Sequence, residues 1–179
     1  MVEVVNVVAS GSLGFEFDLE AITAELGDLA EYDPEKYPGA YIRLREFSPL
    51  ITLYRTGKYI ITGADSKQEA STTRDAFLNL LSGHDILTEA TDEWFTFQNY
   101  VCVGDLETDI NLSALAIGLG LENTEYEPEQ FPGLVYPSPD SECVLLVFAS
   151  GKTVVTGASS VESANEAFFN FKKLLDDFP

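Results

Sequence analysis

The sequence predicts an α+β fold in which one antiparallel sheet, built by two copies of the same unit, carries its helices on one face. Three observations lead there: a long internal duplication, short alternating strands in each copy, and an apolar-faced helix that closes each copy. The duplication is direct. Glu31-Tyr32-Asp33-Pro34-Glu35-Lys36-Tyr37-Pro38-Gly39 returns as Glu125-Tyr126-Glu127-Pro128-Glu129-Gln130-Phe131-Pro132-Gly133, and Thr56-Gly57-Lys58 to Ala64 returns as Ser150-Gly151-Lys152 to Ala158. The offsets are 126 − 32 = 94 and 151 − 57 = 94, while Asn6 aligns with Asn99 at 99 − 6 = 93. Residues 1–90 and 91–179 are therefore expected to form two repeats of one continuous domain.

Each repeat reads in the same order. Val4, Asn6 and Val8, and likewise Phe97, Asn99 and Val101, alternate as a strand does. A helix follows, with Asp18 or Asn111 as N-cap and Leu19, Ile22, Leu26 or Leu112, Leu115, Leu119 at helical spacing. Three short strands come next, over 40–45, 50–54 and 58–62 in the first repeat and 134–136, 143–148 and 152–156 in the second. Gly57 and Gly151 mark hairpin turns. The last element is a long helix. Ser66 and Glu69 form a capping-box pattern ahead of Ala70, Phe77, Leu80 and Leu81; the counterpart, from about 160 to 175, carries Ala164, Ala167, Phe168, Phe171 and Leu175. The polar stretch 82–93 is the expected connector. With both long helices on one side, the other sheet face is left bare, and a bare face is a docking surface.

Composition narrows the classes. A chain of 179 residues with 45% hydrophobic content can bury a core. It has neither a membrane-length apolar run nor an export-signal pattern, so a soluble cytoplasmic protein is expected. Cys102 and Cys143 are too few for a disulfide framework and read as buried thiols. Thirty acidic residues against ten Lys and Arg give 10 − 30 = −20. Such a charge ordinarily argues against a polyanionic partner. Here the acids are scattered over a well-patterned chain, which suits a halophilic source whose salt screens the self-repulsion.

Catalysis finds no foothold in the residues. Ser150-Gly151-Lys152-Thr153 imitates the end of a phosphate-binding loop, but Leu146 stands where its first glycine is required and a strand follows instead of a helix. His84 is the single histidine, so neither a His-based triad nor a multi-His metal site can be assembled. No enzyme activity, catalytic residue, metal or cofactor is expected.

The Asn-x-Val strands, the Tyr-x-Pro-Glu-x-aromatic-Pro-Gly loops and the Gly-Lys-x-x-x-Thr-Gly-Ala hairpins occur twice, in register. Together they resemble the archaeal, haloarchaeal-type TATA-box-binding proteins over roughly residues 4–178. The resemblance implies a saddle of two pseudo-symmetric repeats, with a curved sheet that lies along a widened minor groove and helices on the convex face. It implies that Tyr37, Tyr54, Phe131 and Phe148 wedge into base steps, partly replacing the stacking lost at a kink. It places Asn6, Asn99, Thr62 and Thr156 at the sheet centre, beside Val8, Val101, Ile60 and Val154. Polar donors among apolar neighbours suit the acceptor-only floor of A·T pairs. Arg43 and Arg45 correspond to phosphate contacts, and Glu127 and Glu129 to the carboxylates that hold transcription factor B, through which RNA polymerase is recruited.

Three positions depart from the family pattern. Pro137, Asp65 and Ser159 stand where phosphate-binding Arg or Lys is usual, so little counter-ion release is expected, with weak DNA binding at low salt that holds or improves at molar salt. The function implied is a general transcription initiation factor that bends promoter DNA. The alternative is a divergent paralogue with weak DNA binding that serves as a protein-interaction module or regulator. A homodimer of the free protein through its sheet face stays open.

Overall fold

Each copy of the repeated sequence folds as strand, helix, three-stranded meander and helix. The first contributes β1 (Glu3–Ser12), α1 (Leu19–Leu26), β3 (Gly39–Ile42), β4 (Leu50–Tyr54), β5 (Lys58–Ala64) and α2 (Lys67–Gly83), with a short β2 (Ala30–Glu31) after α1. The second contributes β6 (Trp94–Asp105), α3 (Leu112–Leu119), β7 (Leu134–Pro137), β8 (Val144–Val147), β9 (Lys152–Ala158) and α4 (Val161–Asp176). The computed structural model describes residues 1–87 and 94–178. Hydrogen bonding orders the strands β2-β3-β4-β5-β1 in the first repeat and β6-β9-β8-β7 in the second. By contacts the chain divides into two compact units, Asn6–Gln98 and Asn99–Pro179 with Met1–Val5. They are called the first and second unit below.

In the first unit, both helix starts are fixed by the expected caps. The Asp18 carboxylate accepts from the amides of Glu20 and Ala21, and Ser66 accepts from the Glu69 amide at 3.1 Å. Glu69 reaches back one residue further than a capping box requires, to the Asp65 amide at 2.7 Å. The buried stripes Leu19, Ile22, Leu26 of α1 and Phe77, Leu78, Leu81 of α2 share a core with Ala40, Ile42, Ile51, Leu53, Tyr59 and Ile61. Tyr59 meets Phe77 edge to face at 5.4 Å.

The second unit repeats the scheme with other side chains. Asn111 accepts from the Ala114 amide, and Ser160 from the Ser163 amide. Leu112, Leu115 and Ala116 of α3 and Ala164, Ala167, Phe168 and Phe171 of α4 are buried, as are Leu134, Tyr136, Leu145, Val147 and Val155 of the strands. Cys102 and Cys143 are buried free thiols, and burial, then the neighbouring Cys143, raises the pKa of Cys102.

The structure corrects the sequence reading at several places. The strand expected over 40–45 stops at Ile42, because the chain turns at Arg45 to Ser48, where the Ser48 amide and hydroxyl both donate to the Arg45 carbonyl and the Arg43 guanidinium donates to the Ser48 carbonyl at 2.7 Å. Arg43 and Arg45 thus sit in a loop. The strand over 134–136 runs on to Pro137, which an edge strand tolerates because the missing N–H costs no ladder bond. Phe97, Asn99 and Val101 alternate within β6 as expected, and the Phe97 ring lies 5.3 Å from the Lys67 ammonium. Of the connector expected over 82–93, Ser82 and Gly83 complete α2, His84 caps it, and 88–93 lie outside the described residues.

Candidate nucleic-acid interface

Strand alternation decides which side chains each sheet leaves uncovered. In the first unit Tyr59 and Ile61 are fully buried, so Ile60 and Thr62 of β5 point away from the helices. The register sets Ser10 and Thr52 beside Ile60 and Leu50 beside Thr62, which adds Val8 and Tyr54 to the same side. In the second unit Val103 and Leu146 flank Val154, and Val144 flanks Thr156, so Val101 and Phe148 join them. The apolar and hydroxyl positions expected at the centre of the interface therefore lie on the uncovered side of each unit.

Asn6 and Asn99 are held by a device that the sequence did not disclose. Val7 pairs with Ala64 but Ala9 with Ile61, so β5 carries an extra residue at a bulge around Gly63, whose φ is +85°. The bulged Gly63 amide donates to the Asn6 Oδ1 at 3.0 Å. The same shift lies between Tyr100 and Cys102, and the Gly157 amide donates to the Asn99 Oδ1 at 2.9 Å. With its carbonyl engaged by the bulge, each side-chain amide keeps its NH2 group as the free end. Donors are what the acceptor-only edge of an A·T pair requires.

The aromatic candidates form one pair in each unit. The Tyr37 and Tyr54 rings lie 6.1 Å apart and the Phe131 and Phe148 rings 5.8 Å apart, both edge to face. Their placement follows from the repeated loop. Pro34 or Pro128 presets the backbone, and the carbonyl of the preceding acid, Asp33 or Glu127, accepts from the Tyr37 or Phe131 amide at 3.0 Å. The partner ring ends β4 or follows β8, just before the turn at Gly57 or Gly151. Gly39 and Gly133 lie under the rings, and a Cβ at Gly133 would stand 2.8 Å from Phe131 and 3.1 Å from Phe148. The tyrosine pair differs in being joined by a hydroxyl–hydroxyl hydrogen bond. Burial first, then the Tyr37 bond and the nearby Tyr37 and Tyr41 hydroxyls, push the Tyr54 pKa up to about 12.

Charged candidates divide less evenly. Arg45 and Glu127 and Glu129 are exposed. Ser159, in a place where the family pattern has a base, gives both its amide (3.2 Å) and hydroxyl (2.9 Å) to Glu142 Oε1, which the Ser163 hydroxyl also reaches. Hydrogen bonds from the Glu142 backbone and then from Ser159 and Ser163 hold that carboxyl at about 2. A carboxylate thus occupies the neighbourhood expected to be cationic. Tyr41, stacked on Tyr37 at 5.4 Å, and Arg55 in the turn after Tyr54 were missed by the sequence reading. The spacing of two from Gly39 was the available signal for Tyr41.

These features have counterparts in known proteins. The family model described as transcription factor TFIID, or TATA-binding protein, matches residues 1–84 and 94–178. TATA-box-binding protein C of Halobacterium salinarum is 50% identical over 177 residues, covering 98% of both chains. The TATA-box-binding protein of Haloarcula marismortui is 42% identical over 176 residues, covering 98% of this chain and 94% of that protein. Among solved structures, the Methanococcus jannaschii TBP superposes with a TM-score of 0.83 at 37% identity, covering 98% of each chain. The chain belongs to the TATA-binding protein family, a family of DNA-binding transcription factors, and has its α+β fold.

Proposed function

We propose that this protein is a general transcription initiation factor that binds A·T-rich promoter DNA in the minor groove through the uncovered sheet side, using Asn6, Val8, Ile60, Thr62, Asn99, Val101, Val154 and Thr156. Tyr37, Tyr54, Phe131 and Phe148 act as the kinking wedges, and Arg43 and Arg45 as phosphate contacts. The observation that carries this reading is the twofold recurrence of an aromatic pair over a glycine, together with an asparagine whose carbonyl is locked by a bulge. Stacked base pairs resist bending, and apolar rings entering a step return part of the stacking energy lost. The divergent paralogue with weak DNA binding, acting as an interaction module or regulator, is not favoured, because both aromatic pairs and both asparagine locks are intact. Fluorescence bending on an A·T-rich duplex in molar KCl tests this: the protein bends the duplex, and replacing Phe131 and Phe148 by Ala abolishes the bend. A protein that leaves the duplex straight at every salt concentration overturns it.

Transcription factor B is the proposed protein partner, with RNA polymerase engaged through it. Glu127 lines a cleft of about 350 Å3 between α3 and the second aromatic loop, together with Ala116, Leu121, Tyr126 and the polar Ser113, Thr124 and Glu125, and Glu129 follows two residues on. Ile117 and Leu121 nearby are 73% and 71% exposed. An apolar seat beside carboxylates suits a basic, partly apolar partner surface. Charge reversal, Glu127→Lys with Glu129→Lys, is expected to remove the factor B supershift while leaving DNA bending in place.

A further inference from the structure

Beside Tyr54 the first unit opens into a cleft of about 620 Å3, in which Tyr54 and Ile60 meet Tyr32, Trp94, Arg55 and Lys58. Acids outnumber bases three to one in the chain. Yet among the described residues none that lines this cleft is acidic, while Arg55 and Lys58 are cationic. Ninety-four residues further on, Lys152 stands for Lys58 but Ala149 stands for Arg55, so the arginine belongs to the first unit alone. Its backbone is anchored, since the Arg55 carbonyl accepts from the Phe17 amide at 2.8 Å and the Gly57 amide closes the turn on the Tyr54 carbonyl. Among the described residues its guanidinium is held by Glu16 alone, at 3.4 Å between side chains 69% and 75% exposed. Water screens such a pair, and a better-matched anion displaces it. A planar guanidinium grips a phosphate through two parallel N–H bonds, and an aromatic wall beside it accepts the face of a sugar.

We infer that Arg55 is a phosphate-binding residue, taking a backbone phosphate of the promoter strand beside the step that Tyr37 and Tyr54 enter, with Trp94 against the adjoining sugar. This rests on the DNA reading above. Trp94 is the single tryptophan, so its emission reports occupancy of this cleft and of no other surface. The full-length protein is titrated with the A·T-rich duplex over a KCl series, with bending and tryptophan emission followed together. The duplex is expected to shift the Trp94 emission in parallel with bending. Arg55→Ala is expected to weaken binding several-fold on all A·T-rich sequences and to move the slope of log K against log[KCl] by about 0.9 toward positive values, the share of one lost phosphate contact. Arg55→Gln carries the same expectation with the side-chain length kept. Glu16→Gln frees the guanidinium and strengthens binding. If the protein bends the duplex while Arg55→Ala and Arg55→Gln keep affinity and slope, or if Glu16→Gln weakens binding as they do, the assignment is overturned. If no variant and not the parent protein bends DNA, the DNA reading itself has failed.

Discussion

Tyr54 keeps its proton far into the alkaline range because ionisation would desolvate a phenolate against Tyr37 and Tyr41. Its folded pKa of about 12 lies above the ordinary 10.0, so its contribution to stability is whole below pH 10 and is lost as pH climbs through about 12. Alkaline melting curves are expected to fall across that window and to fall less in Tyr54→Phe. Glu142 runs the other way. Its pKa of about 2 lies below the ordinary 4.5, so its contribution is present above pH 4.5 and fades as pH drops through about 2. Acid melts of Glu142→Gln are expected to lose that dependence. Gly133 is a steric matter: a methyl group 2.8 Å from Phe131 must push the ring aside, so Gly133→Ala is expected to impair bending while the protein still melts cooperatively. The four aromatic candidates and the two asparagines were legible in the sequence because they recur in register. The direction of the asparagine amides was not, because it depends on a bulge that pairs residues distant in the chain. Arg55 escaped for the opposite reason: the second copy has nothing to match it.

Helix ends were the most readable elements. Asp18, Ser66 and Asn111 accept from amides in the first turn as expected, and so does Ser160, about where the last helix was expected to begin. Ser160→Ala is expected to cost about 1 kcal/mol in urea denaturation, the usual value of an N-cap. Deeper in the core, Phe77→Ala is expected to cost about 3–5 kcal/mol, because α2 loses the ring that meets Tyr59. Strand ends were less readable. Arg43-Leu44-Arg45 alternates as a strand would, but a turn closed by Ser48 on the Arg45 carbonyl ends the pairing with β4. β2 is two residues long, paired to β3 only as Ala30 to Ile42 and Glu31 to Tyr41, too short to leave a periodic signal.

At the scale of the whole molecule a net charge of −20 sets the conditions under which everything else operates. Screening at molar salt shortens the reach of that charge to about 3 Å, so approach to DNA meets little general repulsion there. Affinity for an A·T-rich duplex is expected to hold or rise from low to molar KCl; a steep decline over that range would contradict the charge argument. The duplication made the α+β class and the repeated meander readable before any coordinates, whereas the unequal distribution of cations between the copies became meaningful only once Arg55 and Lys58 were seen to share a cleft. One asymmetry distinguishes the two aromatic pairs. Tyr37 and Tyr54 are latched to each other through their hydroxyls, while Phe131 and Phe148 merely touch. Separating the tyrosines forfeits a bond that the phenylalanines never had, so under the proposed wedge role Tyr54→Phe is expected to ease entry of that pair into a base step.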